Sequence, residues 1–163
     1  MQEIPHENSD PIKHEGDGKA PAGVFALGPE FGYSRHPLGK MPYVHTQGDL
    51  ICVADADSDF YNQIVRISST ISVRSFEWMH RDDALYRHGI VVSHNTEAVP
   101  KRGSCIFLHI QRTADAGTAG CTSMEENDLT DILKWLDPKA SPLLIQIPEK
   151  SLSYIKKRYS IPQ

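Results

Sequence analysis

The sequence predicts a mainly β domain carrying one long helix, and three observations lead there. Six short apolar or β-branched runs recur along the chain, bounded by Gly, Pro, Asn or Asp. Only one stretch, 123–138, combines helical periodicity with a start and a stop signal. And 163 residues are enough for one real core but too few for two ordinary domains.

In chain order, residues 1–23 hold Pro5, Pro11, Pro21 and several glycines and charges, and read as an extended lead-in, of which 1–11 is expected to be flexible. VFALG (24–28) is a short strand bounded by glycines, and the punctuated run 28–42 is expected to be a loop lining a cleft. LICVAD (50–55) is the next strand, then an acidic turn, then IVRIS (64–68), which fits a strand or a short helical turn. Residues 75–89 fit neither period and are left irregular with room for a helical turn. GIVVSHN (89–95) and GSCIFLHI (103–110) are β-branched, apolar runs of central-strand character, joined by a polar connection of hairpin length with Arg102 at its mouth. The helix follows: Ser123 and Glu126 form a capping box, acidic residues crowd the first turn, Leu129, Ile132, Leu133 and Leu136 share a face, and Pro138 stops it. PLLIQIP (142–148) is a last strand, and the basic segment 149–163 is a short helix or a tail.

Charge narrows the class of partner. Lys and Arg total 17 against 21 Asp and Glu, a formal charge of −4, so nothing draws the chain as a whole to nucleic acid or an anionic membrane. A polar, neutral or zwitterionic substrate suits it better. No run reaches the roughly 18 apolar residues of a membrane span, and the first residues lack a signal-peptide core, so the chain as written is expected to be soluble and not membrane-inserted.

Several familiar sites are excluded by spacing. The eight histidines form no HExxH, and no metal or other cofactor is expected. GDGKAPAG (16–23) lacks phosphate-loop spacing, and the acidic turn at 55–62 lacks the glycine and glutamate of a calcium loop, Phe60 and Arg66 standing in their places. Cys52, Cys105 and Cys121 are odd in number with no CxxC, which argues against a disulfide framework and leaves at least one thiol free.

What remains is a nucleophile and a base. Strand alternation over 104–110 puts Cys105, Phe107 and His109 on one face, with Cys105 and His109 roughly 13 Å apart, too far to pair. Cys105 is then expected to be a small buried hydrophobe. Cys121 differs, because the chain between it and His109 contains Gly117 and Gly120 and can turn back. Cys121 also precedes the expected helix cap, where unpaired N–H groups and the dipole favour a thiolate. The N–H groups of Gly120 and Cys121 are candidates to face the oxygen of a tetrahedral intermediate. A lone cysteine and a lone histidine are each more often structural than catalytic, so spacing alone leaves both readings open.

Beyond spacing, the chain resembles the YkuD-like L,D-transpeptidases, whose motif is a histidine followed, after a loop, by [Ser/Thr]-His-Gly-Cys-x-[Arg/Asn]. Here the corresponding residues are His109 and Thr118-Ala119-Gly120-Cys121-Thr122-Ser123. The match is closer to a branch with EGDGKxPAGxF, a YN after an acidic turn, DxLYxxGxVVxHN, GSxIFLH and TAGC, found here in that order between Glu15 and Cys121. The resemblance spans about residues 12–148 and implies a YkuD-like β-sandwich of mixed, mainly antiparallel strands, with Cys121 as nucleophile and His109 as general base. It implies attack on the third residue of a peptidoglycan stem peptide, loss of the terminal D-Ala, and transfer of the acyl group to an amine, or to water in a carboxypeptidase or amidase. A non-catalytic wall-binding module is the reading from another class. Thr118, Tyr86, His94 and Asn95 are candidates to line the substrate site. Arg102, Arg112 or Arg81 are candidates to hold a stem-peptide carboxylate. Ala119 and Ser123 depart from the broad motif and bear on the choice between transfer and hydrolysis. The resemblance also implies a periplasmic or cell-envelope location, sensitivity to carbapenems, and further strands or an export signal ahead of a trimmed start.

Overall fold

The computed structural model describes residues 7–8 and 10–160. Most of the lead-in expected over 1–11 lies outside these residues. The fold is mainly β, with strands β1 (Gly23–Gly32), β2 (Tyr43–His45), β3 (Leu50–Val53), β4 (Ile64–Arg66), β5 (Phe76–Trp78), β6 (His88–Val92), β7 (Phe107–Ile110), β8 (Thr122–Met124) and β9 (Leu143–Gln146), and helices α1 (Glu126–Trp135) and α2 (Leu152–Tyr159). The long helix expected from the sequence is thus ten residues, and the basic C-terminal segment forms a second helix of eight.

One sheet has the order β2-β1-β6-β7-β8 with β9 also on β1, and a second has the order β4-β3-β5. Pairing is antiparallel except at β1–β2 and β7–β8. Each face of the larger sheet buries its own apolar cluster. Phe25, Ile90, Val92, Ile106, Leu108 and Ile110 pack against Leu129, Leu133 and Leu136 of the helical segment. On the other face Phe31, Tyr86 and Phe107 pack against Leu50 and Cys52 of the small sheet. The period-2 alternation of β7 divides its side chains between these two clusters.

β1 is twice the length of the strand read from VFALG. It passes through Gly28-Pro29 at an irregularity between Leu27 and Glu30, where a bulge removes the need for a proline N–H in the ladder. Beyond it, Glu30 is buried and its carboxylate accepts the N–H groups of Leu38 and Gly39. A Cβ on Gly39 would stand 2.0 Å from the Leu133 carbonyl oxygen. That loop therefore braces α1, and its two ends, Gly28-Pro29 and Met41-Pro42, line a cleft with Pro138 and Pro142. β5 occupies part of the stretch left irregular, because Phe76 and Trp78 stand on the exposed side of an edge strand and give no buried alternation.

Two corrections concern the central stretch. Ser123 does not cap the helix: it lies within β8, and Glu125 takes the N-cap place with no side-chain hydrogen bond. β7 begins only at Phe107, and Cys105 sits before it in left-handed backbone, φ 54°. Cys105 is also not a free thiol. It is bonded to Cys52, tying the small sheet to the approach to β7 in the large one across 53 residues of chain. Cys121 alone is free.

Candidate active site

Cys121 is delivered by the turn that Thr118 organises. The Thr118 hydroxyl donates to the Cys121 carbonyl at 2.6 Å and accepts the Gly120 N–H at 3.2 Å. Gly120 is buried at φ 145°, a conformation that disfavours a side chain. Because its N–H is engaged with Thr118, the oxyanion role expected for that group is filled by an internal contact in this structure.

The parallel pairing of β7 and β8 sets His109 opposite Ser123, so Cys121 falls level with Phe107 on the same face of the sheet as His109. Two residues of strand and one interstrand step separate their Cα atoms by roughly 8 Å. The sulfur does not touch the imidazole. It donates to the Cys105 carbonyl at 3.3 Å and accepts the Phe107 N–H at 3.4 Å. His109 is buried, with Nδ1 2.7 Å from the Ile110 carbonyl, which only accepts; Nδ1 therefore carries the proton and Nε2 the lone pair a base needs. Burial holds the His109 pKa below its ordinary value, so the ring is neutral near pH 7.

Tyr86 links the pair. Its ring meets His109 edge-on at 5.3 Å and Phe107 at 5.6 Å, its hydroxyl donates to Glu77, and the Arg81 guanidinium lies 5.2 Å above it. Glu77, on β5, has its carboxyl raised chiefly by burial. Cys121 is pushed up to about 12, first by burial and next by the Glu77 charge, against the Phe107 N–H, Lys13 and Tyr86. This overturns the expectation of a thiolate favoured by a helix N-terminus. The helix starts five residues later with β8 between, so its dipole does not reach the sulfur.

The remaining candidates divide. Arg112 is exposed beyond β7, and Arg81 is paired through both nitrogens with Asp83. Arg102 is exposed, and its carbonyl meets His94 Nε2 at 2.8 Å. His94 is buried, edge-on to Phe25, with Nδ1 unpartnered. Asn95 donates to the Val99 and Gly103 carbonyls and accepts the Val99 N–H, bracing the β6–β7 connection. His94 lines a cavity of about 230 Å³ between the sheets with Asn62, Val91, Cys52, Cys105 and Phe107, whereas Cys121 and His109 do not. His94, Asn95 and Arg102 thus bond within the β6–β7 connection and not to the sulfur, although His94 Nε2 stands with Lys13 beside Gly103.

Three features of the site went unread in the sequence: the Cys52–Cys105 bond, Glu77, and the packing of residues 13–19 beside Gly120. The pairing of a Cys within β3 with a Cys before β7 has no local signal; Glu77 had one, as an acidic residue alternating with exposed aromatics. Among the described residues no group of three or more His, Cys, Asp or Glu side chains is placed to hold a metal ion, and no helix is long and apolar enough to cross a membrane. Compared with known protein families, curated proteins and solved structures, the chain matched none.

Proposed function

We propose that the chain is a peptidoglycan L,D-transpeptidase of YkuD-like fold, acting in the cell envelope, with Cys121 as nucleophile and His109 as base. The observation that carries this is the placement of the single free thiol and the Nε2 lone pair on one face of adjacent strands, bridged by Tyr86. Catalytic hydrogen bonds often tighten only when substrate binds, so the absence of a direct sulfur–imidazole hydrogen bond is compatible with the pairing. In the reaction the Cys121 proton passes to His109 Nε2 and the sulfur attacks the carbonyl of the third stem residue. The C–N bond to D-Ala breaks, and the imidazolium returns its proton to the departing amine. The acceptor amine then attacks the thioester carbonyl and gives its proton to His109, the C–S bond breaks, and the imidazolium returns that proton to the departing Cys121 sulfur. With Arg81 held by Asp83, Arg112, whose charge reaches Asp83 near the His109 end, supplies positive charge for a stem-peptide carboxylate.

Incubation with a tetrapeptide muropeptide tests this: crosslinked dimers with released D-Ala are expected, and neither product is expected from Cys121→Ala. A carbapenem adduct of one per chain, read by intact mass, is expected to vanish in Cys121→Ala and persist in the double variant Cys52→Ala/Cys105→Ala. An adduct mapped to Cys52 or Cys105 sinks the assignment. Hydrolysis by the same acyl-enzyme is favoured by Ala119 and Ser123, small residues where the broad motif has larger polar ones, and tripeptide without dimer identifies it. A wall-binding module is favoured by the protonated state of Cys121; muropeptide binding with no carbapenem adduct identifies that.

A further inference from the structure

The sulfur of Cys121 has charged neighbours of opposite sign on two sides. Glu77 approaches from β5 with Tyr86, and the segment ahead of β1 approaches from the turn side. On that side Lys13 is folded inward with its side chain 10% exposed, although it lies in the lead-in. Two glycines make room for it. A Cβ on Gly103 would stand 3.0 Å from Lys13 Cε and 3.2 Å from Lys13 Cγ, and a Cβ on Gly120 would stand 3.4 Å from Lys13 Nζ and 3.1 Å from the Lys19 carbonyl oxygen. Both glycines have positive φ, 91° and 145°. Side chains there would crowd the lysine stem and its ammonium.

The ammonium is held in place by the His14 carbonyl at 2.7 Å and by Asp17, which also accepts the N–H groups of His14 and Lys19. Burying a lysine along its stem is unfavourable unless the head finds compensating partners. Asp17 offsets part of that cost, and its own pKa is lowered to about 2 by these hydrogen bonds and Lys13 against the opposing effect of burial. The result is a fixed cation at the Gly120–Cys121 turn. We propose that Lys13 is a positioning residue of the Cys121 site, its ammonium holding the negative charge that forms on the sulfur when the thiol gives up its proton. This rests on Cys121 being the nucleophile of the proposed function. The other charged or titratable groups are Glu77 and Tyr86 beside the sulfur, Arg81 and His109 beyond the Tyr86 ring, Asp17 paired with the ammonium, and His94, whose Nε2 stands with Lys13 beside Gly103; of these Glu77 opposes the thiolate directly and Asp17 offsets part of the ammonium charge.

Alkylation of Cys121 by iodoacetamide tests the inference without substrate. Without reductant, Cys52 and Cys105 are blocked by their own bond, so a single thiol reports. Its thiolate displaces iodide from the reagent, and below the thiol pKa the rate is proportional to the thiolate fraction. Lys13→Met is expected to lower the rate constant at pH 8 about tenfold, equal to one unit of thiol pKa, while Lys13→Arg stays within about twofold. Glu77→Gln is expected to raise it. A variant that merely loosened the turn would expose the sulfur and react faster, so the sign separates charge from packing. Lys13→Gln, which keeps an amide N–H for the His14 carbonyl and Asp17, is measured beside the Met variant in case that one is unstable. An unchanged or faster rate in the neutral variants, or a fall in Lys13→Arg equal to that in Lys13→Met, overturns the proposal. Because alkylation needs no muropeptide, failure here is distinguishable from failure of the transpeptidase reading, which the muropeptide products decide.

Discussion

Replacing both partners of the Cys52–Cys105 bond by alanine is expected to cost about 4 kcal/mol. The bond closes a loop with a sequence separation of 53, and in the chain-entropy account the unfolded state loses 2.1 + 1.5R ln n cal/mol/K, about 14 cal/mol/K here, or about 4 kcal/mol at 25 °C. The left-handed backbone at Cys105 does not alter this sum, because alanine and cystine carry a similar cost at φ 54°. What the bond joins makes the effect global: it pins β3 of the small sheet to the approach to β7. Urea unfolding followed by circular dichroism measures it, and with an m-value of about 2 kcal/mol/M the midpoint falls by about 2 M. Cys121 itself keeps its place, since its acceptor at residue 105 is a backbone carbonyl. Its alkylation rate below the unfolding transition is therefore expected to stay within about twofold. A midpoint shift under about 0.5 M, or a large change in Cys121 reactivity, refutes this account of the bond as a tie between sheets.

Asn62→Ala should destabilise the protein by about 2–3 kcal/mol, since the side chain donates to the His94 and Asn95 carbonyls and accepts the Cys105 N–H; a melting temperature lowered by less than about 3 °C contradicts that role. His88, His94 and His109 all have pKa values depressed by burial, so the unfolded chain binds protons first as pH falls. Stability from these groups is present above pH 6.5 and is lost below it, while the raised carboxyl of Glu77 works in the opposite direction; in Glu77→Gln, which removes that opposition, a urea midpoint no lower at pH 5 than at pH 7 is the contrary result. His109→Gln is expected to lower turnover of muropeptide at least about 100-fold while Cys121 alkylation persists, and loss of both together would assign the histidine to folding.

The mainly β class, the β6–β7 antiparallel pair and the apolar face of α1 were legible because each rests on local period: β-branched runs for the strands, and Leu129, Leu133 and Leu136 at helical spacing for the helix. That at least one thiol is free was legible by arithmetic, but that Cys52 and Cys105 pair and leave Cys121 was not. β5 was not, because an edge strand with Phe76 and Trp78 outward carries no inside-outside pattern, and the length of β1 was hidden by a proline that a bulge accommodates. The capping box failed because Ser123 was drawn into the parallel ladder with His109, and backbone pairing there outweighs a local cap.

The sequence by itself determined which groups are chemically able to act: a cysteine ahead of the helix, a histidine at a strand end, and a glycine-containing turn between them. Only the tertiary structure decided their electrostatics. The bond from Cys52 to Cys105, the Glu77 carboxyl facing Tyr86, and Lys13 folded over Gly103 and Gly120 bring in Cys52, Glu77 and Lys13 from 69, 44 and 108 residues ahead of Cys121 in the chain. Charge and burial at a sulfur depend on what surrounds it in three dimensions, and period and spacing along one strand carry no record of that.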